Sequence, residues 1–222
     1  FVLAAIYFWH RNRHWLAGIS IGLACATKWS ALYFLILIIF ISAYRIFRDY
    51  PLREMPRAIG LKAMTYILIP ISIYLSSWTG WFVSNRGWDR QWSTNPLKSL
   101  WHYHAEMLGF HTGLIEKHSY QANPWSWLIM GRPTSFFYAA PKGCGEKECA
   151  QEVLAMGTPF LWWIGTIALV VVIGFWFRSL ILRKNEPVLN LIIIGLAAGY
   201  LPWFFLQKRT VFTFYAIIIE PF

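Results

Sequence analysis

The densest run of side chains able to do chemistry is His118-Ser119-Tyr120-Gln121-Ala122-Asn123-Pro124-Trp125-Ser126-Trp127, continued by Gly131-Arg132-Pro133-Thr134-Ser135. His118, Tyr120, Trp125, Trp127 and Arg132 together supply stacking faces, hydroxyl, imidazole and indole hydrogen-bonding groups, and one guanidinium fork. An aromatic ring offers flat apolar area beside a polar handle, and an arginine fork matches phosphate oxygens in pairs. Recognition of carbohydrate and of lipid phosphate draws on this set. Taken by residue type alone, a second reading fits equally well: the tryptophans belong to an interfacial aromatic belt and the loop dips into the headgroup region.

Three further groups carry possible chemistry. Lys208 and Arg209 sit side by side on a tight polar turn between two apolar stretches, an arrangement suited to a lipid phosphate because lysine adds a point charge to the arginine fork. Lys28 interrupts an apolar run beside Trp29. A cation in a span costs about 2.5–3.5 kcal/mol unless it snorkels or pairs, which makes it a functional candidate; the alternative is a helix end at interface level. His102, His104, Glu106, His111 and His118 suggest a metal, but helix geometry argues against one. Residues two apart on a helix are about 200° apart around its axis, so His102 and His104 cannot share an ion. The pairs that do share a face, His102 with Glu106 and His104 with His111, fall short of a full ligand set. Metal ligands are therefore assigned to none of them, and a divalent-metal requirement stays open.

Carboxylates are scarce. Outside the cysteine region and its flank at Glu152, the long polar segment holds only Asp89, Glu106 and Glu116. No paired-carboxylate motif, glycine-rich phosphate loop or Ser/His/Asp signature is present. A catalytic base is expected elsewhere, and no residue here is assigned as catalytic.

The elements that must position these groups follow from hydropathy. Leu16–Tyr44, Ile59–Val83, Gly157–Phe177 and Val188–Leu206 are apolar stretches of spanning length, and a spanning helix needs about 20 such residues. The first is broken by Thr27-Lys28-Trp29-Ser30 and reads as one long helix or two short ones. Basic connectors lie at 45–57 (Arg45, Arg48, Arg53, Arg57, with Pro51 and Pro56 as breakers) and at 178–187 (Arg178, Arg183, Lys184). Compact cation-rich connectors favour the cytoplasmic side, which places 84–156 and 207–210 outside. Arg11 and Arg13 then fall outside if 16–44 is one helix and inside if it is a hairpin. Within the long loop, Leu100, Tyr103, Met107, Phe110 and Leu114 recur at helical spacing, predicting a helix over about 96–114. It is too polar to span and reads as an amphipathic helix in the outer interface. Three domains result: 1–83 with its cytoplasmic connector, an extracytoplasmic loop 84–156 carrying the helix and the 118–135 stretch, and 157–222.

Composition agrees. Of 222 residues, 57% are hydrophobic and 19% aromatic, and mean hydropathy is +0.44. Soluble domains average nearer 45–50% apolar, so the class is an all-α polytopic membrane protein in a lipid bilayer. The formal charge of +10 lies scattered between apolar spans, which reads as topology signal and anionic-lipid contact and excludes nucleic acid as a partner. Cys25 reads as a packed thiol. Cys144 and Cys149 flank Gly145-Glu146-Lys147-Glu148; if that loop is extracytoplasmic, a disulfide is the better reading, since a zinc site would need further ligands nearby. Phe1–Phe8 and Thr210–Phe222 are apolar but too short to span, as expected of a chain cut within helices.

Four blocks carry a family resemblance. His118-x-Tyr120-x-x-x-Pro124-Trp125-x-Trp127 resembles the His-x-Tyr-Glu-Ser-x-Pro-Trp-x-Trp block of the protein O-mannosyltransferase family. Thr27-Lys28-Trp29-Ser30-Ala31-Leu32-Tyr33 is similar to that family's Thr-Lys-Trp-Ser-Gly-Leu-Tyr segment. Cys144-Gly145 to Cys149, with Val153-Leu154-x-x-Gly157-Thr158-Pro159-x-x-Trp162-Trp163, resembles the start of its C-terminal membrane region, and Leu201-Pro202-Trp203 with Arg209 and Phe214-Tyr215 fits the helix pair near its end. The blocks run in order over most of the chain. Gln121-Ala122 stands where the family has Glu-Ser. The loop is too short for the β-trefoil domain of the eukaryotic enzymes, so the resemblance is to the bacterial, especially actinobacterial, branch.

The resemblance implies a type-C glycosyltransferase fold. It implies transfer of mannose, with inversion, from a polyprenyl-phosphate carrier to Ser or Thr of an acceptor polypeptide on the outer face of the cell membrane, with the secretion translocon a candidate partner. It implies a catalytic Asp in a first outer loop upstream of Phe1, so the fragment is expected to be inactive alone. Arg209 with Lys208, then Arg132, are the expected phosphate ligands; His118, Tyr120, Trp125 and Trp127 are expected around sugar or acceptor. No cofactor beyond the lipid-linked donor is implied. Competing readings are another lipid-phosphate-sugar transferase of the same fold and a non-catalytic transporter or scaffold. Coupled transporters bury carboxylates within spans, and Glu220 is the one acid near an apolar run that these spans offer.

Overall fold

The computed structural model describes residues 1–145 and 149–222; Glu146 to Glu148 of the cysteine loop lie outside the described residues. The chain divides into two compact units, Phe1–Gly113 and Leu114–Phe222. Among the described residues four helical stretches are long and apolar enough to cross a membrane: Ala31–Asp49, Met55–Ser77, Pro159–Ile181 and Pro187–Phe205. The chain is thus a mostly helical, polytopic membrane protein.

The first unit begins with α1 (Val2–His10) and α2 (His14–Thr27). Asn12 turns the chain between them at a φ of 57°, a left-handed conformation that asparagine tolerates better than most residues. Lys28 ends α2 in an extended conformation, and α3 (Ala31–Asp49) starts after Ser30. The 16–44 stretch is therefore two helices, and Lys28 stands in the break rather than inside a continuous span. Asn12–Leu16 and Tyr50–Thr65 wall the same groove, and the Arg45 guanidinium lies 4.7 Å above the Trp9 ring. The start of α2 and the 45–57 connector accordingly lie at one end of the unit, which selects the hairpin alternative.

The next span starts earlier than hydropathy predicts. Pro56 occupies the first turn of α4 (Met55–Ala63) instead of ending the connector, a position where its missing N–H costs nothing. A π-turn (Met64–Leu68) leads into α5 (Ile69–Ser77), whose first turn holds Pro70. Proline cannot donate to the preceding turn, and such a gap is a common origin of π-bulges and kinks. α2 packs on this region through Gly18 and Gly22. A Cβ at Gly18 would run into the Thr65 carbonyl, and one at Gly22 would lie 2.9 Å from Pro70 Cα. Small residues one turn apart let membrane helices approach this closely.

After the short α6 (Thr79–Val83), α7 runs over Pro96–Gly113. Asn95 Oδ1 caps it by accepting from the Leu97 amide at 2.9 Å, the usual task of asparagine before a proline-led helix. Ser99 and Leu100 are buried, and Tyr103 packs edge-on to Trp78 at 5.4 Å. Phe110, in the same expected stripe, is 66% exposed. His104 is instead turned inward. Its Nδ1 lies 2.7 Å from the Leu100 carbonyl, which can only accept, so Nδ1 carries the proton. The unprotonated Nε2 then accepts from the Tyr74 hydroxyl at 2.6 Å, and the Tyr74 oxygen accepts from the Trp29 indole at 2.9 Å. Trp29 stacks on the same imidazole at 5.6 Å. This chain ties the Thr27–Ser30 break to α5 and α7.

The second unit contains α8 (Pro159–Ile181), α9 (Pro187–Gly199) and the short α10 (Pro202–Phe205). It also holds strands that hydropathy did not suggest: β1 (Thr134–Ala139) pairs antiparallel with β2 (Gln151–Ala155), with an irregularity between Ser135 and Phe137. Phe136, Phe137, Tyr138 and Val153 suit a strand, but they lie in short mixed stretches without clean alternation. Cys144 and Cys149 are joined by a disulfide between the two strands. The segment after Arg209, expected to begin a further α-helix, forms a 3-10 turn over Thr213–Ile218. Its Val211 carbonyl and Thr213 hydroxyl are used by other segments, and its run of β-branched and aromatic residues favours helix weakly.

Candidate functional site

The site is built from backbone bonds that bring the 114–132 segment against Thr210–Thr213. The Thr210 amide donates to the Leu114 carbonyl at 3.0 Å, and its hydroxyl donates to the Glu116 carbonyl. The Ala122 amide donates to the Val211 carbonyl at 2.9 Å. The Thr213 hydroxyl donates to the Arg132 carbonyl at 2.7 Å. Two stretches about 90 residues apart in sequence thereby share one location, carrying His118 and Tyr120 from one side and Arg209 from the other.

Residues 118–121 form a turn closed by its own side chains. The His118 amide donates to Gln121 Oε1 at 3.2 Å, and the Tyr120 amide donates to His118 Nδ1 at 3.1 Å. With Nδ1 accepting, the neutral imidazole carries its proton on Nε2, directing a donor outward from an exposed side chain. The ring is fixed edge-on to Phe212 at 5.2 Å. Gln121, in place of the family's Glu, closes the turn through a carbonyl oxygen, a task that a carboxylate oxygen could equally perform.

The following segment is irregular, and irregular backbone beside apolar helices needs a partner for each carbonyl. Those partners come from α8, α9 and the segment's own side chains. Tyr200 donates its hydroxyl to the Pro124 carbonyl at 2.7 Å; the Trp162 indole donates to Trp127 at 2.9 Å, Thr166 to Leu128 at 2.7 Å and the Trp163 indole to Ile129 at 3.2 Å. The Pro124–Ser126 3-10 turn and the left-handed Met130 (φ 55°) complete the path.

This clamp separates the two tryptophans. Trp125 is 64% exposed and presents a ring face. Trp127 is 0% exposed. Its indole donates to the Ala122 carbonyl at 2.8 Å, and its ring sits among Tyr200, Trp203 and Tyr215 at 5.8–6.2 Å. The expectation that Trp127 lines a sugar or peptide is therefore corrected: it has no free face and anchors the core of this unit. Sequence alone could not separate Trp125 from Trp127, because both are rings in one short motif.

The cations differ in their surroundings. Arg209 is half-buried, and its Nε has no hydrogen-bond partner among the described residues. An unsatisfied buried donor costs about 1–3 kcal/mol, a cost that an anion would remove. Lys208 and Arg132 are exposed. The other candidates lie in the first unit: Lys28 at its helix break, His104 inside its aromatic chain, and His102 stacked on Trp92 at 4.1 Å and 3.8 Å from Asp89. Among the described residues no three His, Cys, Asp or Glu side chains gather at metal-binding distance. Tyr200, Thr166, Thr213 and Phe212 were missed from sequence. For the first three the available signal was a polar hydroxyl inside or beside an apolar span, which membrane helices use as a hydrogen-bond donor; Phe212 offered no such signal.

The apolar helices, and the loop of rings and cations that follows them, define a multi-pass membrane protein, and the comparisons specify its family. Residues 96–217 match the family described as the C-terminal four TMM region of protein-O-mannosyltransferase, and residues 5–82 match dolichyl-phosphate-mannose-protein mannosyltransferase. The chain belongs to the protein O-mannosyltransferase family. It is 33% identical to the polyprenol-phosphate-mannose–protein mannosyltransferase of Mycolicibacterium smegmatis and 32% to that of Mycobacterium tuberculosis, in each case over 93% of this chain and 44% of the relative. Dolichyl-phosphate-mannose–protein mannosyltransferase 1 of Saccharomyces cerevisiae is 26% identical over 48% of this chain and 14% of its own. The chain thus spans less than half the length of the curated relatives it matches. No solved structure matches it.

Proposed function

We propose that this chain forms part of a glycosyltransferase that moves mannose from polyprenyl-phosphate-mannose to Ser or Thr hydroxyls of an acceptor polypeptide, with inversion, on the outer face of the cell membrane. The names of its relatives support the donor and the protein acceptor. The observation that carries the site assignment is Arg209, whose buried Nε has no partner among the described residues and whose neighbour Thr210 is bonded to the Leu114 and Glu116 carbonyls that lead into the His118–Tyr120 turn.

In this reading the acceptor oxygen attacks the anomeric carbon as the bond from that carbon to the phosphate oxygen breaks. The phosphate leaves with the electron pair, and the hydroxyl proton passes to a base outside the residues assigned here. Arg209 holds the departing phosphate, with Lys208 and Arg132 adding charge from more exposed positions. Preorganised cations aimed at developing charge are among the strongest catalytic contributions. His118, through Nε2–H, Tyr120 and the open face of Trp125 hold sugar or acceptor. Loop 84–156, with α7 lying in the interface, faces the extracytoplasmic side, and the secretion translocon is a candidate source of acceptor. The basic connectors support that orientation through the positive-inside rule.

The test is mannose transfer to an acceptor peptide by the full-length enzyme carrying Arg209→Ala. Turnover should fall by about a hundredfold or more with membrane expression intact, and Arg209→Lys should recover part of it. Near-normal transfer by Arg209→Ala would remove the phosphate role. Transfer that does not depend on the peptide would point to a glycolipid acceptor.

A further inference from the structure

The first unit carries a concentration of positive charge to which the proposed function gives no role. A groove of about 960 Å³ opens between the start of α2 and the α4 segment, lined by Arg13, His14, Trp15, Arg57, Leu61 and Lys62 among others. Three cations line it against one carboxylate, Glu54, which is itself within 3.6 Å of Arg53.

Lys62 is the informative member. It is half-buried on a helix apolar enough to span, and no ion pair among the described residues uses it. Its ammonium lies 5.8 Å from the ring of Tyr66, a side chain only 1% exposed. The Tyr66 hydroxyl is in turn hydrogen-bonded to His14 Nδ1 at 2.7 Å. Lys62 and His14 are thus held from below by one buried tyrosine, while Arg13 and Arg57 stand exposed at the rim. Cations placed within an apolar span mark ligand sites by default.

The walls narrow the ligand. Trp15 is 51% exposed and Leu61 51% exposed, so the groove offers open apolar surface beside its cations. A free anion would use the rim and leave these surfaces idle, whereas a phospholipid would use both. We propose that this groove binds the phosphate headgroup of an anionic phospholipid, with its acyl chains along Trp15 and Leu61. Charge complementarity carries the choice of lipid, because each Lys or Arg near a membrane surface contributes an attraction of about 1 kcal/mol toward anionic headgroups.

The experiment is native mass spectrometry of the full-length enzyme titrated with phosphatidylglycerol or phosphatidylcholine. The wild-type protein should retain phosphatidylglycerol at concentrations where phosphatidylcholine is lost, a comparison that needs no variant. Arg57→Gln and Lys62→Gln should each weaken retention roughly fivefold, Glu54→Gln should strengthen it, and Lys184→Gln on the other basic connector should leave it unchanged. Equal retention of the two lipids would overturn the proposal. So would equal weakening by Lys184→Gln, which would indicate diffuse surface charge, or displacement by millimolar inorganic phosphate, which would indicate a free-anion site.

Discussion

The Tyr200 hydroxyl donates to the Pro124 carbonyl at 2.7 Å across 76 residues of sequence. This bond joins the end of α9 to the turn that presents Trp125. Both groups are buried, so removing the hydroxyl strands a carbonyl in an apolar environment. Tyr200→Phe should therefore destabilise the protein by about 1–3 kcal/mol while keeping ring packing against Trp127 and Phe204. Thermal unfolding in detergent should show a lower midpoint. An unchanged midpoint would mean that another donor reaches Pro124.

The two tryptophans of the motif should separate cleanly on mutation. Trp127→Ala empties the centre of the second unit and should cost about 3–5 kcal/mol, seen as loss of folded protein in the membrane. Trp125→Ala removes an exposed ring and should leave the unfolding midpoint almost unmoved. Under the proposed function, it should instead raise KM for donor or acceptor in the full-length enzyme. If both variants fail to accumulate, Trp125 is also structural.

Tyr74→Phe tests the chain from Trp29 to His104. The substitution deletes one donor and one acceptor together, leaving the Trp29 indole and His104 Nε2 unpaired. A loss of about 1–3 kcal/mol for each unpaired group sets the upper range. His104→Phe preserves the ring but not the bonds, so it should resemble Tyr74→Phe in unfolding midpoint. Additivity in the double variant would show that the two bonds are independent, contrary to a shared chain.

Gly22 sets the approach of α2 to Pro70. Gly22→Val adds branched volume where a single Cβ already meets Pro70 Cα at 2.9 Å. Overpacking typically costs about 1–3 kcal/mol, and backbone is the unyielding neighbour here. Gly60→Ala is the control, because a Cβ there meets nothing within 4 Å. Comparable expression and unfolding for the two variants would show that α2 moves freely against α5.

Much of this architecture was legible from residue order. Hydropathy located the spanning helices, because spans follow from length and apolarity alone, and helical spacing found α7 to within a residue at its end. The break at Lys28 was visible but ambiguous: a lysine inside a span and a lysine between spans look identical until the backbone at Lys28 is known to be extended. Pro56 was read as a breaker because its residue type does not say whether it closes one element or opens the next. The hairpin around the cysteines escaped notice because its strands are short and lack alternation. In the candidate site, composition picked out a motif but not its inside and outside. Which of Trp125 and Trp127 faces outward is decided by Tyr200, Trp162 and Thr166, residues 35 to 76 positions away.

The carbonyls of Ala122, Asn123, Pro124, Ser126, Trp127, Leu128 and Ile129 each already accept a hydrogen bond within the unit. What the surface has left to present is mostly giving groups: an imidazole N–H, an exposed indole and guanidinium N–H bonds. Its polarity is therefore lopsided. Such a face discriminates by arithmetic of lone pairs, favouring partners rich in oxygen acceptors over those whose polar edges are themselves donors.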